Sequence, residues 1–463
     1  MPQKESLSRR RPGGDPVTGQ VDPPAHILII VQNLPVPLDR RVWLECLALR
    51  DHGYQVSVIC PMGPGDPARQ TIEDVEIYKY PPPPEAHGLI GFCKEFAYCW
   101  LHTARLSSVV WHHRPFSIIQ ACNPPDTFWA LARIWKHRGV RFVFDQHDLN
   151  PELFLSRFGE PTTIARRIEL AGLRWLESMT YRTADKVIST NESYKAIALS
   201  RGHRRPADVT VVRSGPDTRR MRPVYPDPRR EESRKFSLVY LGIMGPQDGV
   251  ELVLDVMHEL VHRRGRDDVQ ATLLGFGDCF DDLRRRAAEL CLNDHVVFTG
   301  RADRDMIADH LSAADIGLCP DLKTPLNDVS TMNKTMEYMA YALPSVAFDL
   351  VETRVSGGDS VLYVPSGDAK GFADAIERLL DNPELRIGMA RLARRRVAAE
   401  LDWRPQARSY VGVFDALTNA AIADSAGGSE EAPLPPCDER GRRYVDLEDE
   451  LEFERFIRER SAP

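Results

Sequence analysis

Short apolar runs alternate with amphipathic helical periods along most of this chain. HILIIV at 26–31 is an apolar run bounded by turn residues and predicts a strand. RVWLECLALRDH at 41–52 repeats at helical spacing and stops at Gly53, and YQVSVIC at 54–60 is the next strand. A strand, a helix and a strand in this order imply parallel strands joined by helical crossovers. SVVWH (108–112), SIIQAC (117–122), VRFVFD (140–145), KVISTN (186–191) and VTVVRSG (209–215) continue the strands, with helices at 128–139 and around 164–184. Residues 217–235 carry many prolines and charges without a period and read as a linker. A second series follows, with strands at 237–242, 269–275, 295–300, 314–320, 343–349 and 360–367 and helices at 250–264, 279–291, 372–381 and 383–401.

The expectation is an α/β chain of two doubly wound units, 25–216 and 236–401, whose facing strand ends make a cleft. Residues 402–419 predict a helical segment that packs back on the first domain. Residues 1–24 are polar and proline-rich, and they predict a disordered tail with no signal-peptide pattern. Residues 420–463 predict a flexible charged tail, with a solvated helix over 444–460.

A length of 463 residues accommodates two such domains. The formal net charge of -7 gives no support to nucleic acid as a partner. Nine cysteines lack paired metal-ligand spacing, and several sit in apolar runs, as reduced core residues of a cytoplasmic protein do. No apolar stretch reaches membrane-spanning length. Residues 89–111 mix Phe92, Phe96 and Trp100 with Lys94 and Arg105. They fit either a membrane-surface contact or a helix packed on the first sheet.

PLNDVSTMNKTMEYMAYA at 325–342 is the most informative stretch. A polar loop opens into a helix that Ser330 or Thr331 can cap. A helix start offers unpaired N–H groups and the positive end of a dipole, which suit a phosphate or diphosphate. Asn333 and Lys334 stand in the first turn, and Glu337 shares a face with Lys334. An anion subsite beside a hydroxyl-accepting carboxylate fits a nucleotide sugar; a capped amphipathic surface helix accounts for the same pattern. Gly242, Gly245 and Gly249 permit close backbone approach, or form an ordinary strand–turn–helix loop. His147 and Asp148 follow a predicted strand directly, at the end where ligands of such sheets bind. Asp145 is a further candidate, or a turn cap. Arg354, near Glu352, brings positive charge to the cleft edge or forms a plain surface pair with that glutamate.

The stretch from LNDVSTMNKTMEYMAYALPSVAFD to VPSGD, 326–368, resembles the retaining nucleotide-sugar glycosyltransferases of group 1, or family 4, and the similarity extends over most of 26–417. The resemblance is to bacterial enzymes that build surface polysaccharides. It implies a GT-B-like fold of two Rossmann-like domains, the first on the acceptor side and the second on the donor side. It implies sugar transfer with retention from a nucleotide-diphosphate sugar to a glycan, lipid-linked or small-molecule hydroxyl; the sequence shows no clear metal-binding carboxylate cluster, so a metal-independent reaction without further cofactor is the expectation. Glu337 matches the family's second donor-site glutamate, associated with the ribose, while the first falls at Val329. The region of the family's diphosphate-binding arginine and lysine holds Met244 and Asp248 here, so Lys334 and the amides near Ser330 and Thr331 are expected to take the leaving group. His147 is expected to hold a donor-sugar hydroxyl or the acceptor, with Asp148 orienting its ring or meeting the acceptor. Asn33, Asp39 and Arg40 resemble the acceptor-side opening loop, where Arg40 or Arg41 would meet a phosphate of a lipid-linked acceptor and Asp39 caps the next helix. The implied setting is cytoplasmic, with transient contact at the inner membrane face. A sugar phosphorylase or other sugar-nucleotide enzyme, and a non-catalytic nucleotide-sugar-binding scaffold, are the alternatives.

Overall fold

A computed structural model describes residues 25–83, 88–225, 236–418, 436–438 and 440–461, and of residues 88–90 and 92 only the backbone. The expected disorder at 1–24, much of the linker and the start of the charged tail lie outside these residues.

The first sheet has eight strands: β1 (His26–Ile30), β2 (Gln55–Pro61), β3 (Arg69–Ile72), β4 (Val75–Tyr80), β5 (Ile118–Cys122), β6 (Arg141–Gln146), β7 (Lys186–Ser189) and β8 (Val209–Val211). Their order is β3-β4-β2-β1-β5-β6-β7-β8. The second sheet holds β9 (Phe236–Leu241), β10 (Val269–Leu274), β11 (Val296–Gly300), β12 (Ile316–Cys319), β13 (Ser345–Phe348) and β14 (Val361–Val364), in the order β11-β10-β9-β12-β13-β14. Within the sheets only β3 with β4 pairs antiparallel. Central strands such as β1 are buried along their whole length, which is why they read as unbroken apolar runs. Each sheet reverses its winding beside its first strand, at β1 and at β9, and the loops at these points carry the candidate site.

Three expectations change. SVVWH at 108–112 is the end of the helix Gly88–His113, not a strand. Leu106 and Val110 are buried on the sheet while Val109 is exposed, so burial follows a helical period. The stretch 89–111 is thus a helix packed on the first sheet. The antiparallel pair β3–β4 went unassigned, because RQTI alternates half-buried and exposed positions and carries little apolar signal. The charged tail folds back, too. The helix Glu450–Ser461 buries Phe456 and Ile457 against Ala342, Ile387 and Ala390. Its charges find partners on the second domain, as in the Arg391–Glu454 pair. Few apolar residues suffice there, because glutamates open the helix and arginines end it, matching its dipole.

The chain returns to the first domain through the helix Trp403–Thr418. Trp403, Tyr410 and Phe414 join the core around Ile27 and Val58. Burying a side chain such as Phe414 is worth roughly 1.5–3 kcal/mol. Tyr54 donates to Asp415 Oδ1 at 2.5 Å and Tyr410 to Gln120 Oε1 at 2.6 Å. At the crossing, a Cβ on Gly215 would lie 1.8 Å from the Leu401 carbonyl, so only glycine lets the two strands of chain pass. Among the described residues no helix is long and apolar enough to cross a membrane.

Candidate active site

Two consecutive arginines organise the cleft. Asp39 caps the helix Arg40–Asp51, its Oδ1 accepting from Val42 N at 3.1 Å, so its role is structural. Arg40 points outward and pairs with Glu337 Oε1 of the second domain at 2.5 Å. Arg41 points inward. It donates to Asp145 Oδ1 (3.0 Å), Val212 O (2.9 Å) and Ser214 Oγ (2.8 Å), and its Nε lies 3.1 Å from His147 Nε2. Arg41 is therefore spent inside the first domain and does not reach an acceptor phosphate. Arg40, expected on the acceptor side, spans to the donor-side carboxylate. Asn33 is exposed in the loop after β1.

His147 follows β6 and is held by a buried polar cluster. Its Nε2 lies 2.7 Å from Asp145 Oδ2, and its backbone N–H donates to Asn123 Oδ1 at 2.7 Å. Gln120 donates to Asp145 Oδ2 (3.0 Å) and Glu45 Oε2 (2.8 Å). Burial opposes charge on His147, but Asp145 more than offsets it, and the imidazole titrates above its ordinary range. Burial also opposes charge on Asp145, yet Arg41 and His147 hold that carboxyl well below the usual carboxylate range. The residue that orients the imidazole is thus Asp145. The expected partner, Asp148, is raised by burial and belongs to the turn that Asn123 ties down. Glu45, Cys122, Asp145 and His147 converge as cation ligands would, and the cation among them is the Arg41 guanidinium, 3.0 Å from Glu45 as well.

On the donor side, the helix Asn333–Ala340 begins without a side-chain cap. Ser330 and Thr331, the expected caps, are turned to the first domain instead. Ser330 Oγ donates to Leu326 O (2.8 Å) and accepts from the Tyr194 hydroxyl (2.8 Å), and Thr331 Oγ1 accepts from Asn191 at 3.0 Å. The first N–H groups of the helix therefore remain open to an anion. Asn333 is exposed at its first position. Lys334 is buried, ion-paired with Asp321 and 5.2 Å from the Tyr240 ring centre. Burial works against its charge, but Asp321, Tyr240 and Asp248 outweigh that and keep it an ammonium. The positive charge expected to meet the diphosphate is thus already paired with a carboxylate, Asp321, that sequence reasoning missed.

The glycine loop fits around this lysine. A Cβ on Gly242 would come within 2.9 Å of the Tyr240 hydroxyl and 3.2 Å of Lys334 Cε. Gly245 N–H donates to Asp248 Oδ2 at 2.8 Å, so Asp248 closes its own turn, and burial raises its pKa. Arg354 is exposed and forms a fork with Asp349 (2.5 and 2.8 Å), away from the donor helix, so it does not replace the missing basic pair. Glu352, its expected partner, instead accepts from Ser193 (2.6 Å) and Arg213 (3.4 Å) of the first domain.

Val329 has a physical reason of its own. It packs with Leu149, Leu153, Tyr194, Ile197 and Leu326 in an apolar seam between the domains, and Asn191 donates to its carbonyl at 2.9 Å. A glutamate there would bury a carboxylate among apolar side chains. Asn191 and Tyr194 gave no signal in the sequence beyond their places after a strand end, and Arg41, a candidate for an acceptor phosphate, gave no sign of its inward contacts.

The chain is similar to known proteins over most of its described length. Residues 38–215 match the Glycosyl transferase 4-like domain, and residues 235–382 match Glycosyl transferases group 1. Alpha-D-kanosaminyltransferase of Streptomyces kanamyceticus is 27% identical over 285 residues, 60% of this chain and 70% of that protein. Phosphatidyl-myo-inositol mannosyltransferase of Mycolicibacterium smegmatis is 30% identical over 186 residues, 40% of this chain and 46% of that protein. Sucrose-phosphate synthase from Thermosynechococcus elongatus has the same fold, with a TM-score of 0.68 at 19% identity over 86% of this chain and 100% of that one. Anabaena HepE in complex with UDP and glucose follows at 0.64 and 15%, over 84% of this chain and 99% of that one. The chain belongs to the glycosyl transferases of group 1, with a 4-like first domain and a GT-B fold, and is a glycosyltransferase that draws on a nucleotide-diphosphate sugar.

Proposed function

We propose that this enzyme transfers its sugar with retention, the diphosphate lying at the amino end of the helix Asn333–Ala340 and the sugar reaching toward His147. The observation that carries the reading is the pair of neighbours Arg40 and Arg41: one touches Glu337, the other His147. Glu337 and the strand-end histidine therefore both adjoin the start of the helix Arg40–Asp51. Glu337 takes the ribose hydroxyls once Arg40 moves aside. The open amides at the helix start, with Lys334 beside them, stabilise charge as it develops on the leaving diphosphate. Each such helix-end contact is worth about 0.3–1 kcal/mol when exposed, and more in a closed site.

His147, pinned by Asp145 and favoured as imidazolium, acts as a hydrogen-bond donor to a sugar or acceptor hydroxyl rather than as a base. Asp145 is no free nucleophile, since Oδ1 accepts from Arg41 and Oδ2 from His147 and Gln120. The acceptor proton then passes to the leaving phosphate on the face where the sugar departs. Asn33 lines the acceptor mouth, and Arg40, once displaced, meets the acceptor there. The acceptor is a glycan or lipid-linked hydroxyl met on the cytoplasmic side of a membrane; the relative named as a phosphatidyl-myo-inositol mannosyltransferase supports a lipid-linked one.

A mass-spectrometric screen of nucleotide sugars against glycan and lipid acceptors tests the reaction, and reading the anomeric configuration of the product tests retention. Inversion would sink the stereochemical part. Glu337→Gln is expected to raise the donor KM about tenfold or more, as loss of a charged hydrogen bond does; unchanged donor use would remove Glu337 from the site.

A further inference from the structure

The helix Ile164–Thr183 carries an apolar row on its outer face. It buries Leu170, Glu177, Thr180, Tyr181 and Thr183 and exposes Ile164, Ile168 and Trp175, at 77%, 65% and 56%. Ile164, Ile168, Ala171 and Trp175 recur at steps of four, three and four and form one outward stripe. Arg167 and Arg174, both exposed, run along one flank of it. The only acids on this helix are the buried Glu177 and the half-buried Glu169, which falls on the other side of the wheel. Phe158, 54% exposed with Arg166 stacked 3.8 Å from its ring centre, stands just before the stripe. An exposed apolar row of this kind marks an interaction surface. Its basic flank, on a chain of net charge -7, matches a partner that is apolar within and negative at its surface.

We propose that this face docks on a membrane carrying anionic headgroups, with Ile164, Ile168 and Trp175 entering the interface and Arg167 and Arg174 meeting the headgroups. Its place in the fold suits that task. The helix Asn150–Phe158 leads from the His147 loop to the stripe, and its Ser156 accepts from Leu326 N of the donor loop at 3.1 Å. The stripe thus begins one helix away from the cleft. Docking holds the cleft mouth at the bilayer surface, where a lipid-linked hydroxyl arrives; that consequence rests on the proposed function, while the docking does not.

Flotation of the full chain with vesicles tests it, using phosphatidylcholine alone and phosphatidylcholine mixed with phosphatidylglycerol. The chain is expected to float with the mixed vesicles, weakly with the neutral ones, and less as salt rises. Arg167→Glu with Arg174→Glu is expected to weaken binding about tenfold or more, and Ile168→Glu with Trp175→Glu to abolish it. Circular dichroism and sugar transfer to a soluble acceptor should stay as in the wild type, since these side chains are on the surface. Equal flotation of wild type and both variants overturns the proposal. So does a wild-type dimer in solution that the same variants dissociate, with no flotation, which makes the face a contact for a second copy. Lost flotation with intact transfer concerns docking alone; absent transfer with intact flotation concerns the reaction alone.

Discussion

Arg40 and Glu337 pair across the cleft with Arg40 largely exposed, and that exposure sets the size of the effect. An exposed ion pair is worth about 0.2–1 kcal/mol. Arg40→Ala therefore frees Glu337 at little cost, and donor affinity by calorimetry should tighten up to about fivefold. A loss of affinity would mean that Arg40 holds the donor directly. His147 makes a prediction in pH. Its folded pKa lies above the unfolded value, so the Asp145 pairing stabilises fully below the ordinary histidine range and is lost as pH rises through the raised pKa. Asp145, depressed, adds stability that is lost only as pH falls into the acid range. The melting difference between wild type and His147→Gln should thus shrink on going from neutral to alkaline pH. A difference that grows would place a neutral histidine in the cluster. The uncapped helix start, Glu337 and the histidine loop were all legible as residue types. Their pairings were not: Asp321 pairs with Lys334 and Arg40 with Glu337 from other loops, and Asp145, though a candidate two residues before His147, gave no sign that it rather than Asp148 holds the ring.

At the level of elements, the donor helix Asn333–Ala340 is fixed at both ends by different means. Its amino end is open, and its carboxyl end is closed by guanidinium groups. Arg394 donates to Ala340 O at 2.9 Å, and Arg460 of the tail helix donates to Tyr341 O at 3.0 Å and to Ala342 O. Ala342 sits in the left-handed region with φ 53, a turn that these contacts help to hold. The tail is thus a brace for this helix. Ile457→Ala should cost about 2–5 kcal/mol in the urea transition of the second domain. Arg460→Ala should raise the donor KM and leave the acceptor KM alone. A tail deletion with unchanged stability and kinetics would contradict the brace. Sequence reasoning missed it because the tail reads as charge first, and its few apolar positions cover a surface formed by other helices. The central strands were easy, since burial on both faces leaves them apolar throughout; β3 and the end of the helix Gly88–His113 were hard, since short, half-exposed segments carry no decisive period, while β4, though buried, is short and interrupted by Glu76 and Lys79.

For the molecule as a whole, the two domains meet through the loop 326–331. Ser156, Asn191 and Tyr194 hold residues 326–331 from the opposite domain, and Val329 sits in the same seam. Asn191→Ala leaves a carbonyl and a hydroxyl without their donor, a loss of about 1–3 kcal/mol. The radius of gyration by small-angle scattering should then grow without donor and return toward the wild-type value with it. An unchanged radius would show that other contacts, the helix Trp403–Thr418 among them, hold the two domains together. The central claim is that a nucleotide diphosphate meets the open amino end of the helix Asn333–Ala340 while Glu337 exchanges Arg40 for ribose. A crystal structure with the bound nucleoside diphosphate tests it most directly. The account predicts phosphate oxygens on the amides at Asn333 and Lys334 and a ribose hydroxyl on Glu337, with Arg40 swung away. A diphosphate seated elsewhere in a complex that still turns over, with the Arg40–Glu337 pair intact, would contradict it.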